Sequence, residues 1–197
     1  MTPLPRSFYL REDVVQIARD LIGKTLFTCF DGSLTGGMIV ETEAYAGIHD
    51  RASHSFGGRR TKRNEMMYQK GGVAYVYLCY GMHHLLNFVT NQKESPQGVL
   101  IRAIEPTHGV EKMQLRRKKD KMRYSLTSGP GTVSQALGID LACNGAPLTS
   151  PYLWVEESFL VPLEKILASP RIGVEYAKED ALLPYRFHLK GNPWVSR

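Results

Sequence analysis

Glu41-Thr42-Glu43-Ala44-Tyr45 sets two carboxylates and a phenol at alternate positions. In a strand, alternate residues face the same way, so the three share one face. Glutamate is depleted in strands and costly to bury, which makes such a face unusual. Downstream lie a basic loop, Gly57-Gly58-Arg59-Arg60-Thr61-Lys62-Arg63-Asn64, and a tyrosine-rich run, Tyr75-Val76-Tyr77-Leu78-Cys79-Tyr80-Gly81. Aromatic side chains beside arginines are what base stacking and phosphate contact require. Acid, aromatics and cationic loop together suggest acid–base chemistry on a nucleic acid.

Each feature also has a plainer reading. Glu43 can form an ion pair with Arg102, which would not exclude catalysis. Glu41 can be an exposed charge on an edge strand. Tyr75 and Tyr77 share a strand face, where tyrosines are common for their β-propensity alone. The run Arg116 to Arg123 reads as a solvated helix face, which leaves Arg59 to Arg63 as the better phosphate candidate. His49, His54 and the pair His83-His84 lack metal-ligand spacing, and no cysteine completes a set with them. No metal or cofactor is expected. No Gly-x-Ser-x-Gly or Walker-type loop is present, so serine acyl transfer and nucleotide hydrolysis have no support.

The elements that must position these residues follow from periodicity. Val14, Val15, Ala18, Leu21 and Ile22 recur at helical spacing before Gly23. Lys24 to Phe30 and Met38 to Tyr45 read as strands joined at an Asp31-Gly32 turn. Residues 46–72 have no sustained period; a connection that long is uncommon unless functional or disordered. Val73 to Tyr80 and His83 to Thr90 read as a hairpin turning at Tyr80-Gly81-Met82, an odd place for an aromatic unless it serves as a wedge. Val99 to Ile104 reads as a strand, Pro106-Thr107 as the opening of a helix running into Arg116–Arg123, and Ser128-Gly129-Pro130 as another helix start. Strands near Tyr152–Glu156 and Tyr185–Leu189 complete a mixed α+β reading with a largely antiparallel sheet.

The 197 residues fit one domain, able to bury roughly 70% of its unfolded-chain surface without metal or disulfide. The formal net charge of +6 favours a polyanionic partner. Cys29, Cys79 and Cys143 are odd in number and far apart, which argues for a reducing cytosol over a disulfide framework. No signal peptide or membrane span is visible, so an intracellular, non-secreted protein is expected.

The string from Gly37 to Tyr45, then Ala52-Ser53-His54-Ser55, Gly57-Gly58-Arg59, Thr61 and Arg63-Asn64 resembles the alkyladenine (3-methyladenine) DNA glycosylases. Tyr75-Val76-Tyr77, Tyr80-Gly81-Met82, Asn87, Leu100 to Pro106, Ser128-Gly129-Pro130, Gln135-Ala136-Leu137 and Pro193-Trp194-Val195-Ser196 continue the resemblance in order. It implies a single mixed α/β domain over residues 1–197, built around a curved antiparallel sheet from which a DNA-inserting β-hairpin protrudes. It also implies a monomeric, monofunctional enzyme of base excision repair, in the cytoplasm (bacterial nucleoid) or nucleus, acting on double-stranded DNA that contains damaged purines. By the same resemblance, Glu43 activates a water and Arg102 is its partner. Tyr45, His54 and Tyr77 wall a base pocket, Asn87 filters out guanine's amino group, and Tyr80 is the wedge. Met82, Arg59, Thr61 and Arg63 contact DNA. Two positions depart from the familiar pattern: His83 replaces an aromatic beside the wedge, and Lys62 replaces a proline in the basic loop. A non-enzymatic nucleic-acid-binding module and a metal hydrolase built on Glu41, Glu43 and the histidines remain the alternatives.

Overall fold

The computed structural model describes residues 2–158 and 160–196. Its frame is an eight-stranded antiparallel sheet. The strands are β1 Thr25–Phe30, β2 Ser33–Tyr45, β3 Ala74–Cys79, β4 His83–Thr90, β5 Gln97–His108, β6 Leu153–Glu156, β7 Ile166–Ser169 and β8 Arg186–Leu189. Six run in the order β3-β4-β5-β2-β1-β6, while β8 pairs with β2 and β7 with β8. The long strand β2 therefore serves two neighbourhoods. Its first half pairs with β1, and its Glu41–Glu43 segment pairs with β8. Helices α1 Arg6–Tyr9, α2 Val14–Asp20, α3 Val110–Arg117 and α4 Pro130–Leu137 pack against this sheet. The main core joins Ile17 of α2 and the following Leu21 with Ile39 and Val40 of β2, Phe88 of β4, Ile101 and Ile104 of β5, and Val133 and Leu137 of α4. Among the described residues, no helix is long and apolar enough to cross a membrane.

The Asp31-Gly32 turn and the hairpin through Tyr80-Gly81-Met82 form where the sequence puts them. Residues 46–72 hold only short 3-10 turns, at Gly47–His49, Phe56–Gly58 and Glu65–Tyr68. The expected helix at Pro106-Thr107 does not form. Strand β5 continues through Pro106 to His108, and α3 starts only at Val110. The register between β2 and β5 shifts at Gly36/Gly37, opposite Pro106, and a bulge of that kind is where a sheet tolerates proline. A Cβ at Gly37 would lie 2.6 Å from the Glu105 carbonyl oxygen, so only glycine permits this approach. Helix α3 then ends at Arg117, with Lys118 left-handed, and does not reach Arg123.

Gly109 turns the chain out of β5 into α3 at φ +64, where a Cβ would sit 2.2 Å from the Leu34 carbonyl oxygen. Gly109→Ala adds left-handed strain to a clash with rigid backbone, about 2–4 kcal/mol in all. The expected result is a melting temperature lower by about 10 °C, checked by thermal unfolding. An unchanged midpoint would contradict the close approach.

Candidate active site

Glu43 and Tyr45 leave β2 on the same face as their cross-strand neighbours Leu100 and Gly98 of β5. Asn87 of β4 pairs with both Leu100 and Tyr75, which brings β3, β4, β5 and β2 to one concave wall. Tyr45, His54, Tyr75, Tyr77 and Asn87 line the resulting pocket, with Met67 and Val89 behind them. Of the six residues expected at the pocket and its base, Tyr45, His54, Tyr77 and Asn87 line it, while Glu43 adjoins it through Tyr45 and Arg102 adjoins Glu43.

Glu43 is fully buried. Its Oε1 accepts the Ile172 backbone N–H at 2.8 Å and lies 3.3 Å from Arg102 Nη1. Its Oε2 accepts the Tyr45 hydroxyl at 2.9 Å. Burial and then the Glu43 charge raise the Tyr45 pKa well above the ordinary phenol range, so Tyr45 donates and does not compete for the proton. Arg102 reaches this point because β5 bulges there. Ala103 pairs with Glu41 and Ile101 with Thr42, leaving Arg102 as the extra residue. Bulges beside active sites commonly re-aim one side chain in this way.

His54 stands edge-on to Tyr77 with ring centroids 4.7 Å apart, and its Nδ1 shares a hydrogen bond with the Tyr75 hydroxyl at 3.0 Å. Burial, then the charges of Arg63 and Arg59, pull its pKa down to about 4. His54 is therefore neutral at physiological pH. The unfolded chain takes up a proton here near pH 6.5 that the folded pocket refuses until about pH 4. Stability should therefore fall as pH drops through that window. A His54→Phe variant should show a flatter pH–stability curve by denaturant titration, and an unchanged slope would contradict the neutral histidine.

The basic loop does not behave as one cationic patch. Arg60 is held by Glu65 and Glu94 and lies over the Tyr68 ring, so it is neutralised within the fold. Arg63 lies over the Tyr77 ring and donates to the Leu78 carbonyl, bracing the pocket wall. Buried Asn64 organises the turn. Its Oδ1 accepts from the Thr61 N–H and hydroxyl, while its Nδ2 donates to the carbonyls of His54 and Arg59. Arg59, Thr61 and Arg63 line a groove that also contains Arg51 and Tyr176 and adjoins the aromatic pocket through His54 and Tyr176. Tyr80 and Met82 cap the hairpin at 89% and 70% exposure. Tyr80 has a positive φ of 51°, uncommon for a bulky residue and costly by roughly 1 kcal/mol. His83 packs its ring against Gly131 at the start of α4.

Three features escaped the sequence. Tyr176 lines both the pocket and the basic groove, with its hydroxyl donating to the Ala52 carbonyl at 3.0 Å. Arg171 forms a buried, two-pronged ion pair with Asp50 and lies between the Tyr45 and Tyr185 rings. Glu41 is fully buried, against the exposed edge-strand alternative. All three depend on partners more than 50 residues away, and no local spacing signals such pairings.

A carboxylate fixed by three donors and hydrogen-bonded to the wall of an aromatic-lined pocket, beside a basic groove and an exposed tyrosine tip, is suited to hydrolysis at an extruded nucleotide. The model of the methylpurine-DNA glycosylase family matches residues 7–193. The chain belongs to that family. Membership makes it a DNA glycosylase, a hydrolase of N-glycosidic bonds that serves DNA repair. Two relatives share the provisional name 3-methyladenine DNA glycosylase. The one from Chlamydia pneumoniae is 48% identical over 187 residues, covering 94% of each chain. The one from Bacillus cereus strain G9842 is 47% identical over 205 residues, covering 98% of each.

Proposed function

We propose that this glycosylase flips alkylated or deaminated purines out of double-stranded DNA and hydrolyses their glycosidic bond with a water activated by Glu43. The product is an abasic site in an intact strand. The observation that carries the reading is the triply held Glu43 carboxylate, buried directly behind Tyr45 of a pocket walled by Tyr45, His54 and Tyr77. A base inside a duplex cannot be reached, so extrusion and stacking between π-faces must precede chemistry. Tyr80, exposed and backbone-strained at the hairpin tip, is suited to fill the gap the base leaves. Arg59, Thr61 and Arg63 border the groove through which the sugar–phosphate chain would pass. Asn87 would exclude guanine's exocyclic amino group, a role that its buried place on the pocket wall supports.

A cationic purine such as 3-methyladenine or 7-methylguanine leaves readily, so one carboxylate suffices. Inverting glycosidases normally add a second, acidic group. Neutral purines such as hypoxanthine or ethenoadenine need a donor at the leaving base, for which the pocket backbone near His54 is the candidate. Release of free base from a methylated duplex and from a duplex containing hypoxanthine, followed by chromatography, tests the reading. Release from both fits the full proposal, while release from the methylated duplex alone restricts it to cationic purines. Tight lesion binding without release from either would refute it.

Tyr176 adds a prediction. The residue is 65% exposed and lines both pocket and groove, while its hydroxyl is fixed on Ala52. Tyr176→Ala should weaken affinity for a lesion duplex about tenfold, the lower end of what one aromatic–base stack contributes. Tyr176→Phe keeps the ring and should stay within about threefold. Fluorescence anisotropy with a labelled duplex decides, and equal losses in the two variants would rule out stacking.

A further inference from the structure

Glu41 is a fully buried carboxylate that shares Arg102 with Glu43, and the proposed mechanism leaves it without a task. Its Oε1 accepts from Arg102 Nε at 3.0 Å, from Arg186 Nε at 2.6 Å and from the Ser196 hydroxyl at 2.8 Å. Its Oε2 accepts the Ser196 backbone N–H at 2.7 Å. Ser196 in turn accepts from both arginines, through its Oγ from Arg102 Nη2 at 3.3 Å and through its carbonyl from Arg186 Nη2 at 3.3 Å. Every polar group of Ser196 is thus engaged in one cluster. Burial pushes the Glu41 carboxyl up, but the Arg102 charge, the Ser196 N–H and Arg186 together outweigh it and keep its pKa below the ordinary range.

The geometry divides Arg102 between two carboxylates. Glu41 holds its Nε, and Ser196 holds its Nη2. Only Nη1 faces Glu43, at 3.3 Å. A free guanidinium would prefer the two-pronged, fork-to-fork pair with Glu43, which would occupy carboxylate lone pairs that a water must share. With Glu41 and Arg186 included, two carboxylates face two guanidiniums and the buried charge balances. A buried pair of this kind is weak evidence for stability but a sound means of fixing one arrangement.

We infer that Glu41 and Ser196 are positioning residues, which hold Arg102 off a two-pronged pairing with Glu43 and so keep that carboxylate open to the attacking water. The inference rests on the glycosylase reading above. It extends the chemical unit from Glu43 and Arg102 to the Pro193-Trp194-Val195-Ser196 segment, which reaches the site from the far end of the chain.

The test uses the full chain at saturating enzyme on a methylated duplex, with single-turnover release of free base as readout. Lesion-duplex affinity and thermal midpoint are measured on the same preparations. Ser196→Ala removes the hydroxyl that links Arg102 to Glu41 while leaving both arginines paired. Release should slow about tenfold with affinity and midpoint nearly unchanged, because misplacement of a reacting group by about 1 Å can cost up to ~10²-fold. Ser196→Thr retains the hydroxyl and should recover most of the rate. Glu41→Gln should slow release further; if it fails to fold, the Ser196 variants still decide. A parental rate in Ser196→Ala would overturn the inference, as would a loss of rate matched by losses of affinity and midpoint. A parent chain that releases no purine would instead refute the glycosylase reading itself, and this inference with it.

Discussion

Glu43→Gln is expected to slow purine release by about 10³-fold, within the range general-base catalysis contributes, while leaving lesion-duplex affinity within about twofold. The amide keeps an oxygen for the Ile172 N–H and is nearly isosteric, so the pocket walls stay in place. Its NH₂ cannot accept a proton from water, and it meets the Tyr45 hydroxyl without the charge that the phenol now faces. Single-turnover release beside an anisotropy titration checks both halves. Loss of binding together with release would make Glu43 a structural residue. Unchanged release would remove it from the chemistry.

Arg171→Met is expected to have the largest effect on stability. Arg171 and Asp50 have side chains 0% and 2% exposed and meet through two contacts, at 2.5 and 2.8 Å. Arg171 also donates to the carbonyls of Ala44 and Asp180, while Asp50 accepts the N–H groups of Ala46 and Ala52. The pair thus joins the end of β2, the loop that carries His54, and the segment that carries Tyr176. Methionine matches the aliphatic bulk but strands the Asp50 carboxylate, a loss of about 3–5 kcal/mol. For a chain of this size the melting temperature should fall by about 10 °C. Purine release should fall as well, because the adjacent Ile172 supplies an N–H to Glu43. Differential scanning calorimetry on parent and variant tests the claim, and a shift below about 2 °C would contradict it.

The strands around the site were largely legible because they are local. Period-two patterns mark β1 through β4, and the Asp31-Gly32 and Tyr80-Gly81-Met82 turns carry their own chemistry. Pro106 misled because proline signals a helix start where nothing else is known. Here a bulge opposite Gly36 and Gly37 admits it into a strand instead. Arg102 could be paired with Glu43 by strand order, but its division between Glu43 and Glu41 depends on a second bulge and on Ser196. Strand β7 is four residues long with only Ile166 buried, too short and too exposed to stand out. Tyr176 and Arg171 lie more than a hundred residues from their partners Ala52 and Asp50, and only the tertiary fold joins them. Within the basic loop, the pairing of Arg60 with Glu65 and Glu94 has no local signal, because Glu94 lies 34 residues away.

The most direct test of the account is a single-turnover reaction on a duplex with one damaged purine, its strands sized before and after hot alkali. Hydrolysis by a Glu43-activated water predicts a strand that is intact before alkali and cut at the lesion after it. A nick already present before alkali, or no cut after it, would contradict the account.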